Sequence, residues 1–166
     1  MINLKKFENL SKSEYATIRN FIIDENMIEN SQIEQIIERI TKDRFNLGKA
    51  KFEFAQKLDI NDPEACKVII TLCYYAMYHV CIAAIFHTHR SDFNGHEKVA
   101  QEIGNIIRKD LEKSLDDWRD IRNEIDYSPY PNLQHSLKDL AIEAISFAVS
   151  CLNELENYIK KRGVEL

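Results

Sequence analysis

The chain reads CKVIITLCYYAMYHVCIAAIF at residues 66–86, and as a helix this segment is apolar on nearly every side. A helix without a polar stripe is either enclosed by other helices or placed in a membrane. Asp62 supplies an N-cap and Pro63 fits a first helical turn, so the sequence predicts a helix from there to about His87. At ~1.5 Å per residue such a helix is roughly 38 Å long.

Two interpretations of this helix compete, because the run over residues 68–86 is about as long as a bilayer requires. Thr71, His79 and the tyrosines make it weakly lipophilic, and Lys67 and Arg90 flank its two ends without a charge bias. The neighbouring segments are amphipathic, and their apolar faces need a partner. We therefore expect the central helix of a soluble bundle and no membrane association.

Length and composition indicate an ordinary globular domain. The chain has 166 residues, of which 45% are hydrophobic and 30% charged, and this length is typical of one domain. Only 4 glycines and 3 prolines favour long regular elements over a loop-rich fold. The net charge of −5 argues against a protein that coats nucleic acid non-specifically, so a nucleic-acid contact requires a local patch.

Cysteine usage and the first residues favour a cytoplasmic location. The start MINLKKFENL lacks the apolar core and cleavage site of a signal peptide. The four cysteines have no CxxC spacing, which predicts buried free thiols in a reducing compartment. His87 and His89, with Cys81 or His96, fit no common ligand spacing, so we expect no metal and no cofactor.

Amphipathic segments surround the central helix. Ser11 and Ser13 can cap a short leading helix over residues 11–25, and Ser31 with Glu34 forms a capping box for a second helix. Gly48 within that second helix indicates close packing or a bend. The predicted apolar stripe of the second helix is Ile33, Ile36, Ile37, Ile40, Leu47, Ala50, Phe54 and Leu58.

Three more helices complete the prediction. They run from His96 to about Lys109, from Ser114 to about Tyr127, and from about Leu133 to Lys161. No segment shows the alternation of a strand. The sequence therefore predicts an all-α, up-and-down bundle of about five main helices over residues 30–166, preceded by an N-terminal helical extension at residues 1–29.

The segment that helix packing alone explains least reads RDIRNEIDY at residues 119–127. Arg122 and Asp126 stand four apart and share a helical face, Asn123 adds hydrogen-bonding groups, and Tyr127 ends the helix. A guanidinium suits phosphate because its planar fork donates two parallel hydrogen bonds. The alternative is a solvated helix face that carries a weak ion pair.

Three segments together resemble the HEPN (higher eukaryotes and prokaryotes nucleotide-binding) domain family. DRFNLGKAKFEFA at residues 43–55 resembles its first long helix, and CYYAMYH at residues 73–79 resembles its tyrosine-rich central helix, which precedes a loop and a histidine such as His96. RNEIDY at residues 122–127 resembles a variant of its motif. The resemblance spans about residues 30–162, in order.

The resemblance implies a metal-independent ribonuclease or a relative of one. In many members an arginine is followed, after four to six residues, by a histidine, and two copies meet across a homodimer cleft. Carried over, Arg122 is the phosphate-binding cation and Asn123 its polar companion, but Tyr127 stands where the histidine is expected. Using a phenol of reference pKa ~10 as a base at pH 7 costs about 4 kcal/mol, about a thousandfold in rate. Asp126 could accept a proton instead, but we expect weak or absent nuclease activity.

The family resemblance also implies partners. We expect a homodimeric binding or regulatory protein that pairs with a minimal nucleotidyltransferase in a toxin–antitoxin-like system, or binds nucleotide or RNA. Tyr127 as an acceptor of nucleotidylation by that partner is a narrower form of this hypothesis. The expected catalytic-type residues are Arg122, Asn123, Asp126 and Tyr127, and the expected nucleotide- or RNA-binding residues are Arg119, Arg122, Tyr75 and His79.

Two other function classes stay open. One is an RNA endonuclease that uses the same cleft with a degenerate motif, and the other is a purely structural interaction module. Arg90 and His96 also fit an arginine–histidine spacing, but they lie in a glycine-containing loop rather than at the family's motif position.

Overall fold

The computed structural model describes residues 30–91, 93 and 95–166, together with the isolated positions 14 and 16. Within these residues the chain forms a helical bundle without strands, which confirms the all-α prediction. The predicted helix at residues 11–25, and the extension at residues 1–29 to which it belongs, lie outside the described residues except for those two positions. The helices are α1 (Asn30–Ala55), α2 (Pro63–His89), α3 (His96–Ile106), α4 (Lys109–Tyr127) and α5 (Leu137–Lys160).

Helix α2 is the centre of the bundle and contacts each of the other four helices. Asp62 caps it by accepting a hydrogen bond from the Glu64 amide at 3.0 Å, and Pro63 occupies its first turn. The helix ends where Arg90 adopts a left-handed conformation, with φ of 57°. By length and composition α2 could span a membrane, but 61% of its most apolar segment is buried against the other helices. The prediction of a central bundle helix is therefore confirmed.

Helix α1 packs closely against α2 at Gly48. A Cβ atom at this position would lie 2.7 Å from the backbone oxygen of Ala76 and 2.6 Å from Cγ2 of Val80. Only a glycine allows the two backbones to approach so closely. The close packing predicted at Gly48 is confirmed.

The buried stripe of α1 differs from the predicted one over its second half. Leu47 and Phe54 are 47% and 54% exposed, and Ala50 is exposed as well. The positions that face α2 and α5 there are Gly48, Phe52 and Ala55, one or two residues after the predicted Leu47, Ala50 and Phe54. Leu58 packs against the core as predicted. Both patterns fit helical spacing, and only the contact with α2 distinguishes them.

The boundaries of the last three helices also differ from prediction. Helix α3 ends at Ile106 instead of about Lys109, and α4 begins at Lys109 instead of Ser114. Helix α5 begins at Leu137 instead of about Leu133, because the Ser136 hydroxyl accepts a hydrogen bond from the Asp139 amide at 3.2 Å. The four cysteines are free and buried, as predicted, and are Cys66, Cys73, Cys81 and Cys151.

Candidate functional site

Arg122 lies against the tyrosine-rich face of α2 and is almost fully enclosed. Its side chain belongs to the last turns of α4, and the residue is only 3% exposed. The guanidinium carbon lies 5.0, 5.2 and 5.7 Å from the ring centroids of Tyr74, Tyr75 and Tyr127. We call these three rings the tyrosine cage. Their negative faces stabilise the cation at distances typical of cation–π contacts.

The two polar contacts that Arg122 makes within α4 both use one of its nitrogens. Nη1 donates to the Tyr127 hydroxyl at 3.4 Å and lies 3.7 Å from Oδ2 of Asp126. The other oxygen of Asp126 accepts a hydrogen bond from the Thr71 hydroxyl of α2 at 2.8 Å, which ties the end of α4 to α2. Nε of Arg122 is buried and has no hydrogen-bond partner in the part of the chain described. The alternative of a solvated helix face is therefore wrong for Arg122.

A histidine from another element joins this cluster. His96 is the first residue of α3, and its Nδ1 lies 2.7 Å from the Tyr74 hydroxyl, while its ring centroid lies 4.3 Å from that of Tyr78. In the sequence, His96 stood out as the histidine after the tyrosine-rich segment, in the Arg90 spacing and among the candidate metal ligands, and Tyr74 was not singled out as a site residue. The signal that could have connected them is weak, because α3 and α4 are separate helices whose packing on α2 brings His96 and Arg122 to the same tyrosine.

The Arg90–His96 pattern is not a unit in the structure. Arg90 donates to Glu34 of α1 at 2.7 Å, whereas His96 is bonded to Tyr74. The two side chains are thus held by different partners, and His96 belongs with Arg122.

Burial sets the protonation of the groups behind Arg122. It raises the pKa of Tyr74 well above its usual value, although Arg122 opposes the shift, so the phenol keeps its proton. Burial also lowers the pKa of His96, and the positive charges of Arg122 and Arg119 lower it further. His96 is consequently neutral at pH 7, and the protonated Tyr74 hydroxyl can donate to its Nδ1.

Of the two predicted binding residues on α2, Tyr75 belongs to the cage and His79 lies one turn further along the helix. The Tyr75 ring is part of the cage and also has Nζ of Lys51, from α1, 5.9 Å from its centroid. His79 is half-buried with its ring centroid 5.8 Å from that of Tyr78. Burial lowers the pKa of His79, and Lys51, Arg44 and His96 lower it further.

Arg119 lies one turn before Arg122, where carboxylates surround it. Its Nη1 is 3.0 Å from Oδ1 of Asp116 and 3.5 Å from Oε1 of Glu97, and its Nε donates to Asp120 at 3.3 Å. These carboxylates neutralise the Arg119 charge locally. Arg119 still lies near enough to His96 to lower its pKa.

Asn123 lies in an open groove that, of the cage residues, only Tyr127 lines. The groove also includes Asp120, Glu124, Ser128 and Pro129. Glu124 accepts a hydrogen bond from the Asn132 amide at 2.9 Å, which fixes the loop after α4. This rim of the site is acidic.

The structure thus brings together Arg122, Asp126, Tyr127 and Tyr75, sets His79 close by, and places Asn123 and Arg119 among carboxylates. In the described residues no group of three or more His, Cys, Asp or Glu side chains is arranged to hold a metal ion. No protein-family model matches the chain, and no curated protein matches it significantly.

Proposed function

We propose that the chain is a HEPN-like binding protein that acts as a homodimer and holds a phosphate of RNA or of a nucleotide at Arg122. The observation that carries this proposal is the buried Nε of Arg122, which lacks a partner in the described part of the chain. A buried polar group without a partner is rare in folded proteins and is often explained by an absent ligand or water.

The cage suits Arg122 to this role. Three rings hold the guanidinium, so little side-chain entropy is lost when an oxygen binds to it. Both polar contacts described above use Nη1, which leaves the Nε edge for an incoming phosphate. Tyr127 is 74% exposed and can move aside to admit the ligand.

The exposed phenol of Tyr127 also supports the expected partner. A minimal nucleotidyltransferase would transfer a nucleotidyl group from a nucleoside triphosphate to the Tyr127 oxygen, with pyrophosphate leaving and the phenolic proton passing to solvent or to Asp126. Such a bond would place a phosphate next to the guanidinium that the proposal assigns to phosphate binding.

A second candidate function, RNA cleavage, is favoured by His96. The histidine is neutral at pH 7 and hydrogen-bonded to Tyr74, whose ring packs on Arg122. A neutral imidazole near a phosphate-binding cation can accept a proton near neutral pH, which the phenol of Tyr127 cannot. Because the Tyr74 hydroxyl occupies Nδ1, this role requires the Tyr74 hydrogen bond to open.

The test measures RNA binding by fluorescence anisotropy, with a labelled oligouridine, for the wild type and three arginine variants. Arg122→Ala should weaken binding by about tenfold or more, because hydrogen bonds to charged groups contribute about 1.5–3 kcal/mol. Arg39→Ala removes a 69% exposed arginine of α1 and should leave affinity unchanged. Arg122→Lys keeps the charge but loses the fork, and should bind weakly.

Three readouts decide between the alternatives. Light scattering should give twice the mass of one chain, and a monomer would contradict the dimer. Intact RNA on a gel supports a binding protein, whereas cleavage lost in both Arg122→Ala and His96→Ala supports the nuclease. Equal RNA affinity for folded Arg122→Ala and wild type would overturn phosphate binding at Arg122.

A further inference from the structure

One face of α1 alternates cations with exposed apolar side chains. Arg44, Leu47, Lys51 and Phe54 stand at helical spacing and form what we call the α1 ridge. At ~1.5 Å per residue the ridge is about 15 Å long. We propose that the α1 ridge, with Tyr75 and His79 of α2, is a track for single-stranded RNA that leads to Arg122. This inference rests on the proposed function and adds the path of the ligand.

Tyr75 connects the ridge to the Arg122 site. Nζ of Lys51 lies 5.9 Å from the centroid of its ring, and the guanidinium carbon of Arg122 lies 5.2 Å from the same centroid. One aromatic ring therefore has a cation from α1 and a cation from α4 beside it. A phosphate bound at Arg122 has Lys51 as the next positive charge along the surface of α1.

Further along the same face, a second cation of α1 lies over an aromatic ring of α2. The guanidinium carbon of Arg44 lies 4.7 Å from the centroid of the buried Phe86 ring. Both Arg44 and Lys51 are near enough to His79, between them on α2, to help burial lower its pKa. Positive charge is therefore concentrated where α1 meets α2, in a chain whose net charge is −5.

The exposed apolar members of the ridge fit bases. Phe54 is 54% exposed and Leu47 is 47% exposed, although both are large apolar residues of α1. Proteins that bind single strands combine cations for the backbone with exposed aromatic rings on which bases stack. The spacing of Lys51 and Phe54, three residues apart, places one of each on the same surface.

The approach to Arg122 past Asn123 and Tyr127 is unfavourable for an anion. On that side Asp120 and Glu124 line the groove next to Asn123 and Tyr127. Carboxylates repel phosphates, so a polyanion that reaches Arg122 is directed to the side of Tyr75 and Lys51.

The test measures anisotropy of a labelled oligouridine of about 12 nucleotides with the full chain, over a range of salt concentrations. Lys51→Gln should weaken binding and reduce the slope of log affinity against log salt by about 0.7, the value for one phosphate contact on a single strand. Phe54→Ala should weaken binding by about fivefold or more, with the slope unchanged. Lys49→Gln is the matched control, because Lys49 is an exposed lysine that lines the α1–α5 groove.

The outcomes separate this inference from the proposed function. If Arg122→Ala loses binding while Lys51→Gln and Phe54→Ala keep wild-type affinity and slope, the track is wrong and phosphate binding at Arg122 stands. If Lys51→Gln or Phe54→Ala dissociates the dimer but the dissociated protein binds RNA with wild-type affinity, the α1 ridge is a protein interface. The track is then wrong as well. If the wild type binds no oligouridine, the track is wrong and so is RNA binding at Arg122. Thermal melts confirm that each variant is folded.

Discussion

At the scale of single residues, Arg122 shows how a charge can be buried without a strong ion pair. Its carboxylate neighbour Asp126 lies 3.7 Å away and is shared with Thr71, so the three tyrosine rings provide most of its surroundings. Removing an arginine from water is costly unless its donors are satisfied. The cage offsets part of that cost, and the unpartnered Nε is the part that remains.

Tyr74 holds His96 through one hydrogen bond, and this contact can be tested directly. The hydroxyl oxygen lies 2.7 Å from Nδ1, and donation of the phenolic proton to that nitrogen stabilises the neutral imidazole. Tyr74→Phe should therefore raise the pKa of His96 toward its usual value and cost about 1 kcal/mol of unfolding free energy. An NMR titration of the His96 ring proton measures the first effect, and urea unfolding the second.

Tyr75→Phe is the matched control for that experiment. Its ring lies 6.3 Å from that of His96, but the hydroxyl that bonds the histidine is that of Tyr74. The control should leave the His96 pKa in place. An unchanged or lower His96 pKa in Tyr74→Phe would show that the phenol does not donate to the neutral ring.

At the scale of helices, the approach of α1 to α2 depends on Gly48. Alanine favours a helix by about 1 kcal/mol over glycine, but a Cβ here would meet the Ala76 backbone oxygen at 2.7 Å. Backbone cannot yield as a flexible side chain can, so Gly48→Ala should destabilise the protein by about 1–3 kcal/mol. Urea unfolding measures the change.

Ala50→Gly in the same helix measures the effect of helix propensity alone. Ala50 is exposed, so this substitution should cost only about 1 kcal/mol. A stabilised Gly48→Ala protein would mean that α1 and α2 are farther apart than the structure has them.

The helices were predictable from sequence to different degrees, depending on whether local signals or contacts with other helices determine their positions. The cap at Asp62 and the missing polar stripe of α2 are local signals, and they predicted its start and its central position. No local signal determined which face of the second half of α1 is buried, because the spacing through Leu47 and Phe54 is as helical as the spacing through Gly48 and Phe52. Contact with α2 decides between them.

The candidate site was predictable in its α4 part and, on α2, at Tyr75. Arg122, Asp126 and Tyr127 share one helix, so their proximity follows from spacing. Tyr74 and His96 join them through the packing of α2, α3 and α4, which no periodicity encodes. Spacing within α4 also places Asp116 and Asp120 beside Arg119. The contacts of Arg119 with Glu97 and of Arg122 with the α2 tyrosines come from the packing of separate helices.

At the scale of the whole molecule, three histidines link stability to pH. Burial lowers the pKa of His79, His87 and His96 from the usual value of 6.5, and nearby cations lower each further. The unfolded chain therefore binds protons near pH 6.5, where the folded chain does not. By linkage, the stability that these neutral histidines contribute is complete above pH 6.5 and is lost as the pH falls below it.

Unfolding free energy should accordingly decrease between about pH 7.5 and about pH 5.5, by about 1.4 kcal/mol for each pKa unit by which a histidine is lowered. Burial raises the pKa of Asp116, so this carboxyl has the opposite effect on the unfolding free energy. Its contribution increases as the pH falls, in the lower range where carboxylates titrate. Urea unfolding at the two pH values measures the decrease. His96→Gln should make it smaller, whereas His135→Gln, at an exposed position, should not. An unfolding free energy that rises toward pH 5.5 would mean that these imidazoles are charged within the folded bundle, which the cations around them oppose.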